Sequence, residues 1–155
     1  MIHIFVAMLK KEAVISAIQE SIGEQIGDYI LELNSVNEEI GKETKSSAGD
    51  KFETSREMMN QEVSRLEERI AYLKKQLNSL QQLSQRKSSS IENGSLVNTN
   101  HGVFFFGIAF GKLESQGSTI MGLSLNSPLG KIMTDKKEGD SLTFMNRNYS
   151  IETIY

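Results

Sequence analysis

Two long stretches with helical hydrophobic spacing dominate the first half of this chain. In the first, apolar residues recur in steps of three or four, at Ile15, Ile18, Ile22, Ile26, Ile30, Leu33, Val36 and Ile40. In the second, steps of four and three alternate in a heptad, at Met59, Val63, Leu66, Ile70, Leu73, Leu77 and Leu80. Each helix offers one narrow apolar stripe, so the pattern predicts an antiparallel two-helix coiled coil over residues 1–84. A structural adaptor that joins two chains through the same stripe is the alternative.

A polar segment of small residues joins the two helices and forms the tip of the expected hairpin, at about residues 41–53. It carries two acids, Asp50 and Glu53, three positions apart. Their plain structural role is a capping box at the start of the second helix. Their functional interpretation is that a projecting tip presents two carboxylates to a magnesium ion held mainly by another molecule, because two carboxylates alone bind Mg²⁺ weakly.

The second half of the chain has the pattern of a small β domain. A polar linker at 85–93 contains three consecutive serines, and short β-branched or aromatic runs follow it between turn residues. The expected strands are 95–99, 103–110, 118–125, 141–145 and 149–154. Ser127 followed by Pro128 predicts a short helix over 127–133. The fold class is therefore α+β, with a helical hairpin, a linker and a mostly antiparallel β domain at 94–155.

Three consecutive phenylalanines, Phe104, Phe105 and Phe106, place apolar groups on both faces of one strand. We expect one face to pack against the short helix. The other face has two candidate occupants, a partner or the helical arm. Packing inside the domain is the favoured explanation for most of these side chains.

Composition excludes several functional classes. The chain has 155 residues, 17 Lys and Arg against 20 Asp and Glu, and a net charge of -3, so it lacks the basic field that binding free DNA requires. There is no cysteine, and His3 and His101 are far apart, so neither a thiol site nor a histidine metal site is expected. No apolar run approaches the ~18–20 residues of a membrane span, and we expect a cytoplasmic protein. The sequence leaves open whether residues 1–7 belong to the native start.

Several motifs together resemble the bacterial GreA/GreB transcript-cleavage factors, a family of transcription elongation factors. The matching stretches cover nearly the whole chain, and the one from Ser127 to Asp140 is the most specific. They are Gly49-Asp50-Lys51-Phe52-Glu53 at the tip, Gly94-Ser95-Leu96-Val97, Leu125-Asn126-Ser127-Pro128-Leu129-Gly130-Lys131, Lys136-Lys137-Glu138-Gly139-Asp140, and the closing Tyr149-Ser150-Ile151 with Ile154.

The resemblance implies a partner and a mechanism. In that family the hairpin enters the secondary channel of RNA polymerase, and tip acids help to hold a second Mg²⁺ near the 3′ end of backtracked RNA. Asp50 and Glu53 stand where those acids stand. The chain would then be no enzyme itself and would have no cofactor of its own, because the polymerase site performs the hydrolysis. The resemblance also implies that the β domain is FKBP-like and docks on the polymerase rim through an exposed apolar face.

This chain departs from the family pattern at the tip. The family usually continues Asn-Ala-Glu-Tyr after the second acid, whereas this chain has Thr54-Ser55-Arg56-Glu57. Lys51 stands between the acids, and residues 38–57 carry six acids and four bases, a net charge of -2. A regulator that occupies the channel without stimulating cleavage is therefore an alternative. An FKBP-like prolyl isomerase is a lesser one, because the chain has no Trp to form the pocket floor of those enzymes.

Overall fold

The computed structural model describes residues 8–43, 50–83 and 87–155, with the backbone alone at residues 43 and 50–52. Two long helices come first, and a six-stranded sheet with one short helix follows them, so the predicted α+β class is confirmed. The elements are α1 (Lys11–Glu43), α2 (Asp50–Gln82), β1 (Leu96–Thr99), β2 (Gly102–Phe106), β3 (Lys112–Ser115), β4 (Ser118–Leu123), α3 (Pro128–Met133), β5 (Ser141–Phe144) and β6 (Arg147–Ile154).

The chain divides into two compact units, and the long helices contribute to both. The described residues of 20–79 form the helical unit, whereas those of 8–19 and 80–155 group with the sheet. Six residues separate α1 from α2, and they can span at most about 20 Å. The end of α1 is therefore close to the start of α2, and because residues 20–79 of both helices form one compact unit, the helices run antiparallel.

In the helical unit, each helix hides one stripe and exposes the rest of its surface. Ile22 of α1 and Leu66, Ile70 and Leu73 of α2 are buried. The other members of the stripes are half-buried: Ile26, Tyr29, Leu33, Val36 and Ile40 in α1, and Met59, Val63 and Leu77 in α2. The predicted seams are therefore present, with one correction. Ile30 is 38% exposed, and Tyr29 takes its place.

The sheet has the strand order β3-β4-β2-β1-β6-β5. Every neighbouring pair is antiparallel except β2 and β4, which run parallel with Phe104 opposite Met121. The main core lies on the face that also receives Met133 of α3. Its buried members are Ile91, Val97, Phe104, Phe106, Met133, Leu142, Tyr149, Ile151 and Ile154.

The second face of the sheet is also buried at its centre. Phe105 is 0% exposed and is not part of the core cluster around α3. In the same unit, apolar residues just before α1, in its first turns and at the end of α2 are buried as well: Leu9, Val14, Ile15, Ile18 and Leu80. All three phenylalanines of β2 thus pack inside the protein. The favoured expectation, that most of these side chains pack inside the domain, is therefore confirmed.

Two hydrogen bonds join the start of α1 to the β3–β4 turn. The amide nitrogen of Lys10 donates to Oε1 of Gln116 at 2.9 Å, and Nε2 of Gln116 donates to the carbonyl oxygen of Lys10 at 3.2 Å. Gln116 has a φ of 53°, which is uncommon for a residue with a Cβ. The turn is thus held in a costly conformation that brings its side-chain amide to the helix.

Several element boundaries differ from the expectations. α1 continues to Glu43, past the expected end at Gly41. The strand expected at 103–110 ends at Phe106, because Gly107 adopts a φ of 116° and turns the chain. β3 was not expected at all. The linker expected at 85–93 contains Ile91, which is buried in the core and exchanges backbone hydrogen bonds with residues 135 and 136.

Candidate functional site

The candidate site lies at the end of α1 and the start of α2, the two helix ends that are adjacent in sequence. Each helix has 33 residues, which corresponds to about 50 Å at 1.5 Å per residue. The connecting residues 44–49 lie outside the described part of the chain. The described helix ends, residues 41–43 of α1 and 50–53 of α2, therefore lie at one end of the helical unit.

The structure describes Glu53 more fully than Asp50. Asp50 is the first residue of α2, and its side chain lies outside the described part. Glu53 follows in the first turn, and its side chain is exposed. A carboxylate in the first turn is favoured by the helix dipole. The capping box between Asp50 and Glu53, and the joint use of both carboxylates, remain predictions.

Charges of both signs surround these acids. Glu38 and Glu39 near the end of α1 and Glu57 in the second turn of α2 are exposed, and so are Lys42 and Arg56. Glu57 accepts a hydrogen bond of 3.3 Å from Nε2 of Gln61. The tip region is therefore mixed in charge, with an excess of carboxylates.

Two carboxylates are too few to hold Mg²⁺ tightly by themselves. Mg²⁺ takes six oxygen ligands and keeps several waters when a protein supplies only one or two carboxylates. Among the residues that the structure describes, no three side chains of the metal-binding types come together. Exposed Glu53, with Asp50 three positions before it, fits a magnesium ion only if another molecule supplies most of the ligands.

The motifs of the β domain, in contrast, have structural roles. Ser127 caps α3, since its Oγ accepts from the amide of Gly130 at 3.0 Å and donates to the carbonyl of Ser124 at 2.7 Å. Gly130 is buried, and a Cβ there would overlap the carbonyl oxygen of Ser124. The Ser-Pro-Leu-Gly sequence thus folds the turn into α3.

The Gly-Asp motif folds a second turn. Gly139 has a φ of 88°, and its amide donates to the carbonyl of Ile151 at 2.8 Å. The Asp140 carboxylate accepts from the amide of Lys137 at 2.8 Å. Glu138 accepts from the amide of Ile154 at 2.9 Å. This motif secures the chain between α3 and β5 to the last strand.

A surface depression of about 350 Å³ lies on β5 and β6. It is lined by Ser141, Leu142, Thr143, Asn148 and Ser150, and no aromatic side chain contributes to it. FKBP-type isomerases enclose proline in an aromatic pocket, so this depression does not support the prolyl isomerase alternative.

A feature of α2 that hydrophobic periodicity does not reveal lies beside its seam. We define the α2 flank as the residues one position before successive seam members: Met58, Glu62, Arg65, Arg69, Tyr72 and Gln76. Their spacing alternates four and three, so they form one stripe. The spacing of the stripe is visible in the sequence. Hydrophobic periodicity does not detect it, because the stripe contains both polar and apolar residues.

Side chains of the α2 flank bind one another. Arg65 donates to both carboxylate oxygens of Glu62, at 2.6 and 2.8 Å. These bonds raise the pKa of the Arg65 guanidinium above its usual range, and Glu32 and Tyr29 of α1 act in the same direction. The Arg69 guanidinium lies 5.4 Å from the ring centroid of Tyr72, whose hydroxyl accepts from Gln76 at 2.7 Å.

The comparison with solved structures gives a likeness of low similarity. No family model matches the chain, and no curated protein matches it. A solved structure of the transcription factor Gfh1 is similar, with 22% sequence identity over 90% of this chain and 94% of that one, and a TM-score of 0.37. At this TM-score the likeness carries no argument about function. Within the described ranges, no helix has the length and apolarity needed to cross a membrane.

Proposed function

We propose that this chain is a transcription elongation factor that binds RNA polymerase and inserts its helical unit into the secondary channel. In this proposal Asp50 and Glu53 reach the polymerase active site and share a magnesium ion with it, close to the 3′ end of a backtracked RNA. The polymerase performs the hydrolysis, and this chain supplies carboxylate ligands. The sequence motifs of the GreA/GreB family are the starting point for the proposal.

The observation that carries the proposal is the slenderness of the helical unit. Within residues 20–79, α1 and α2 hide only one stripe each, and no third element thickens the pair in the described part of the chain. A two-helix rod is about 20 Å across at its widest, because each helix with its side chains measures about 10 Å. Such a rod is suited to entering a channel and carrying a short acidic segment to its far end.

The charges near the acids favour a second version of the same function. Lys42 and Arg56 are exposed close to the acidic end, and Lys51 stands between the two acids. Cations there weaken the attraction of the site for Mg²⁺. In the second version the rod occupies the channel and regulates transcription without stimulating cleavage.

The two versions are separated by cleavage assays on stalled, backtracked complexes. In the first version, Asp50→Asn and Glu53→Gln each abolish RNA shortening by the factor and leave its binding to polymerase unchanged. Glu57→Gln is the matched control, because Glu57 is an exposed carboxylate one turn further along α2. If the natural chain binds polymerase and never shortens the RNA, the second version holds. If it does not bind polymerase at all, both versions are wrong.

A further inference from the structure

The α2 flank has the composition and rigidity of an interface. Met58 is 66% exposed and Tyr72 46% exposed, although both are large side chains that proteins commonly bury in contacts. Arg, Tyr and Met are enriched in protein interfaces. Because Arg65 and Tyr72 are already held by neighbouring side chains, a partner that binds here pays little side-chain entropy.

The outer surface of α1 carries the opposite charge. From residue 20 to residue 39, α1 contains six acids and no base: Glu20, Glu24, Asp28, Glu32, Glu38 and Glu39. The first four are exposed and follow one another at intervals of four, an arrangement in which like charges destabilise a helix. From residue 69 to residue 79, α2 contains the bases Arg69, Lys74 and Lys75 and no acid.

These opposite charges lie at the same level along the rod. Glu32 of α1 and Arg65 of α2 each stand one position before a seam residue, Leu33 and Leu66, so in an antiparallel pair both lie on the same edge of the seam. Glu32 also acts to raise the pKa of Arg65. One turn back along α1 is Asp28, and one turn forward along α2 is Arg69. Since the helices are antiparallel, both steps lead in the same direction along the rod. Asp28 and Arg69 are therefore level with each other and on the edge that carries the α2 flank.

From this geometry we infer that two copies of the chain associate side by side through the α2 flank, around a two-fold axis parallel to the helices. The α2 flank of each copy then lies along α1 of the other. Asp28 of one copy faces Arg69 of its partner, and the two-fold axis repeats that contact. The contact is isologous, so the same patch serves both copies and the assembly closes as a dimer.

The surface that such a pair can bury is sufficient for a specific dimer. Residues 20–39 span about 30 Å of helix, and two helices side by side are about 20 Å wide. The contact is thus roughly 600 Å² per copy or 1,200 Å² in total, at the lower end of specific interfaces. A contact of this size with exposed charges is expected to be reversible and weakened by salt.

The inference does not depend on the proposed function, but it would regulate it. A rod paired along its length is twice as thick, so the dimer could not enter a channel that admits one rod. Polymerase binding and self-association would then compete, and the concentration of the chain would set the active fraction.

The decisive experiment is a charge exchange followed by sedimentation equilibrium on the full chain. Arg69→Glu and Asp28→Arg, each alone, should weaken the dimer by about tenfold or more, because each places like charges together twice. An equimolar mixture of the two variants should restore the dimer. In the mixed pair, one contact is natural and the other has its charges exchanged. Glu67→Arg, on the other side of the seam, should leave the dimer unchanged.

Circular dichroism of each variant checks that its helices are intact. A natural chain that remains monomeric across the measurable concentration range would overturn the inference. So would a dimer that Arg69→Glu leaves intact, which points instead to association through the seam. A dimer that both variants weaken and the mixture does not restore would exclude the two-fold contact between Asp28 and Arg69.

Discussion

Leu73→Ala tests the packing on which the helical unit depends. Leu73 is in the middle of the α2 seam and is 2% exposed. The substitution removes three carbon atoms from a site without water, which costs about 2.4 kcal/mol at 0.8 kcal/mol per buried methylene. Because the α2 seam is narrow and solvent is near, the cavity can partly close. We therefore expect a total loss of about 3 kcal/mol, in the lower part of the range for buried leucines.

Leu31→Ala is the matched control, because it makes the same chemical change on α1 at a side chain that is 70% exposed. It should change the free energy of unfolding by less than about 0.5 kcal/mol. Urea unfolding followed by far-ultraviolet circular dichroism measures both variants, with the slope m as a check on the two-state assumption. If the two variants have the same stability, Leu73 is not packed as the structure places it.

Further predictions concern the β domain and helix α1. Gly130→Ala should destabilise the β domain by 2 kcal/mol or more (~2–4), because its methyl group meets a backbone carbonyl oxygen that cannot easily move. Gly23→Ala, where nothing lies within 4 Å, should stabilise α1 by about 0.5–1 kcal/mol. The opposite signs are measurable by thermal unfolding. The pKa of Glu138 is lowered below its ordinary value of 4.5 by the amide of Ile154 and by Lys87. Its contribution to stability is therefore present above about pH 4.5 and lost as the pH falls through the folded pKa. Glu138→Gln should remove that part of the acid sensitivity, and an unchanged acid unfolding curve would contradict it.

Local sequence signals were sufficient for parts of the β domain. Ser127 followed by Pro128 predicted α3, because the capping hydroxyl and the fixed proline φ both act within one turn. Strand β3 was not predicted because its sequence, Lys-Leu-Glu-Ser, has few strand-forming residues. It is a strand because it pairs with β4. β2 was predicted too long because Gly107 looked like a strand glycine, whereas its positive φ ends the strand.

The helical unit was predictable in type and less so in register. Ile30 was assigned to the α1 stripe because it is apolar, but the structure exposes it and half-buries Tyr29. The steps from Ile26 to Tyr29 and from Tyr29 to Leu33 keep the spacing of three and four. The aromatic side chain of Tyr29, with its polar hydroxyl, therefore takes the stripe position that was assigned to the aliphatic side chain of Ile30. The α2 flank was overlooked for a related reason, since its pattern is spatial and its chemistry is mixed.

The two kinds of sequence motif in this chain carry different information. The Ser-Pro-Leu-Gly and Gly-Asp motifs cap a helix and fix two turns, through Ser127, Gly130 and Asp140. They would be needed in any protein with this β domain, whatever its function. Asp50 and Glu53 stand at the start of a helix that many other residues could begin. A chain could therefore keep the fold and lose the proposed cleavage function by a change at one acid. For this reason, cleavage by the tip variants decides the function, and stability measurements on the β domain do not.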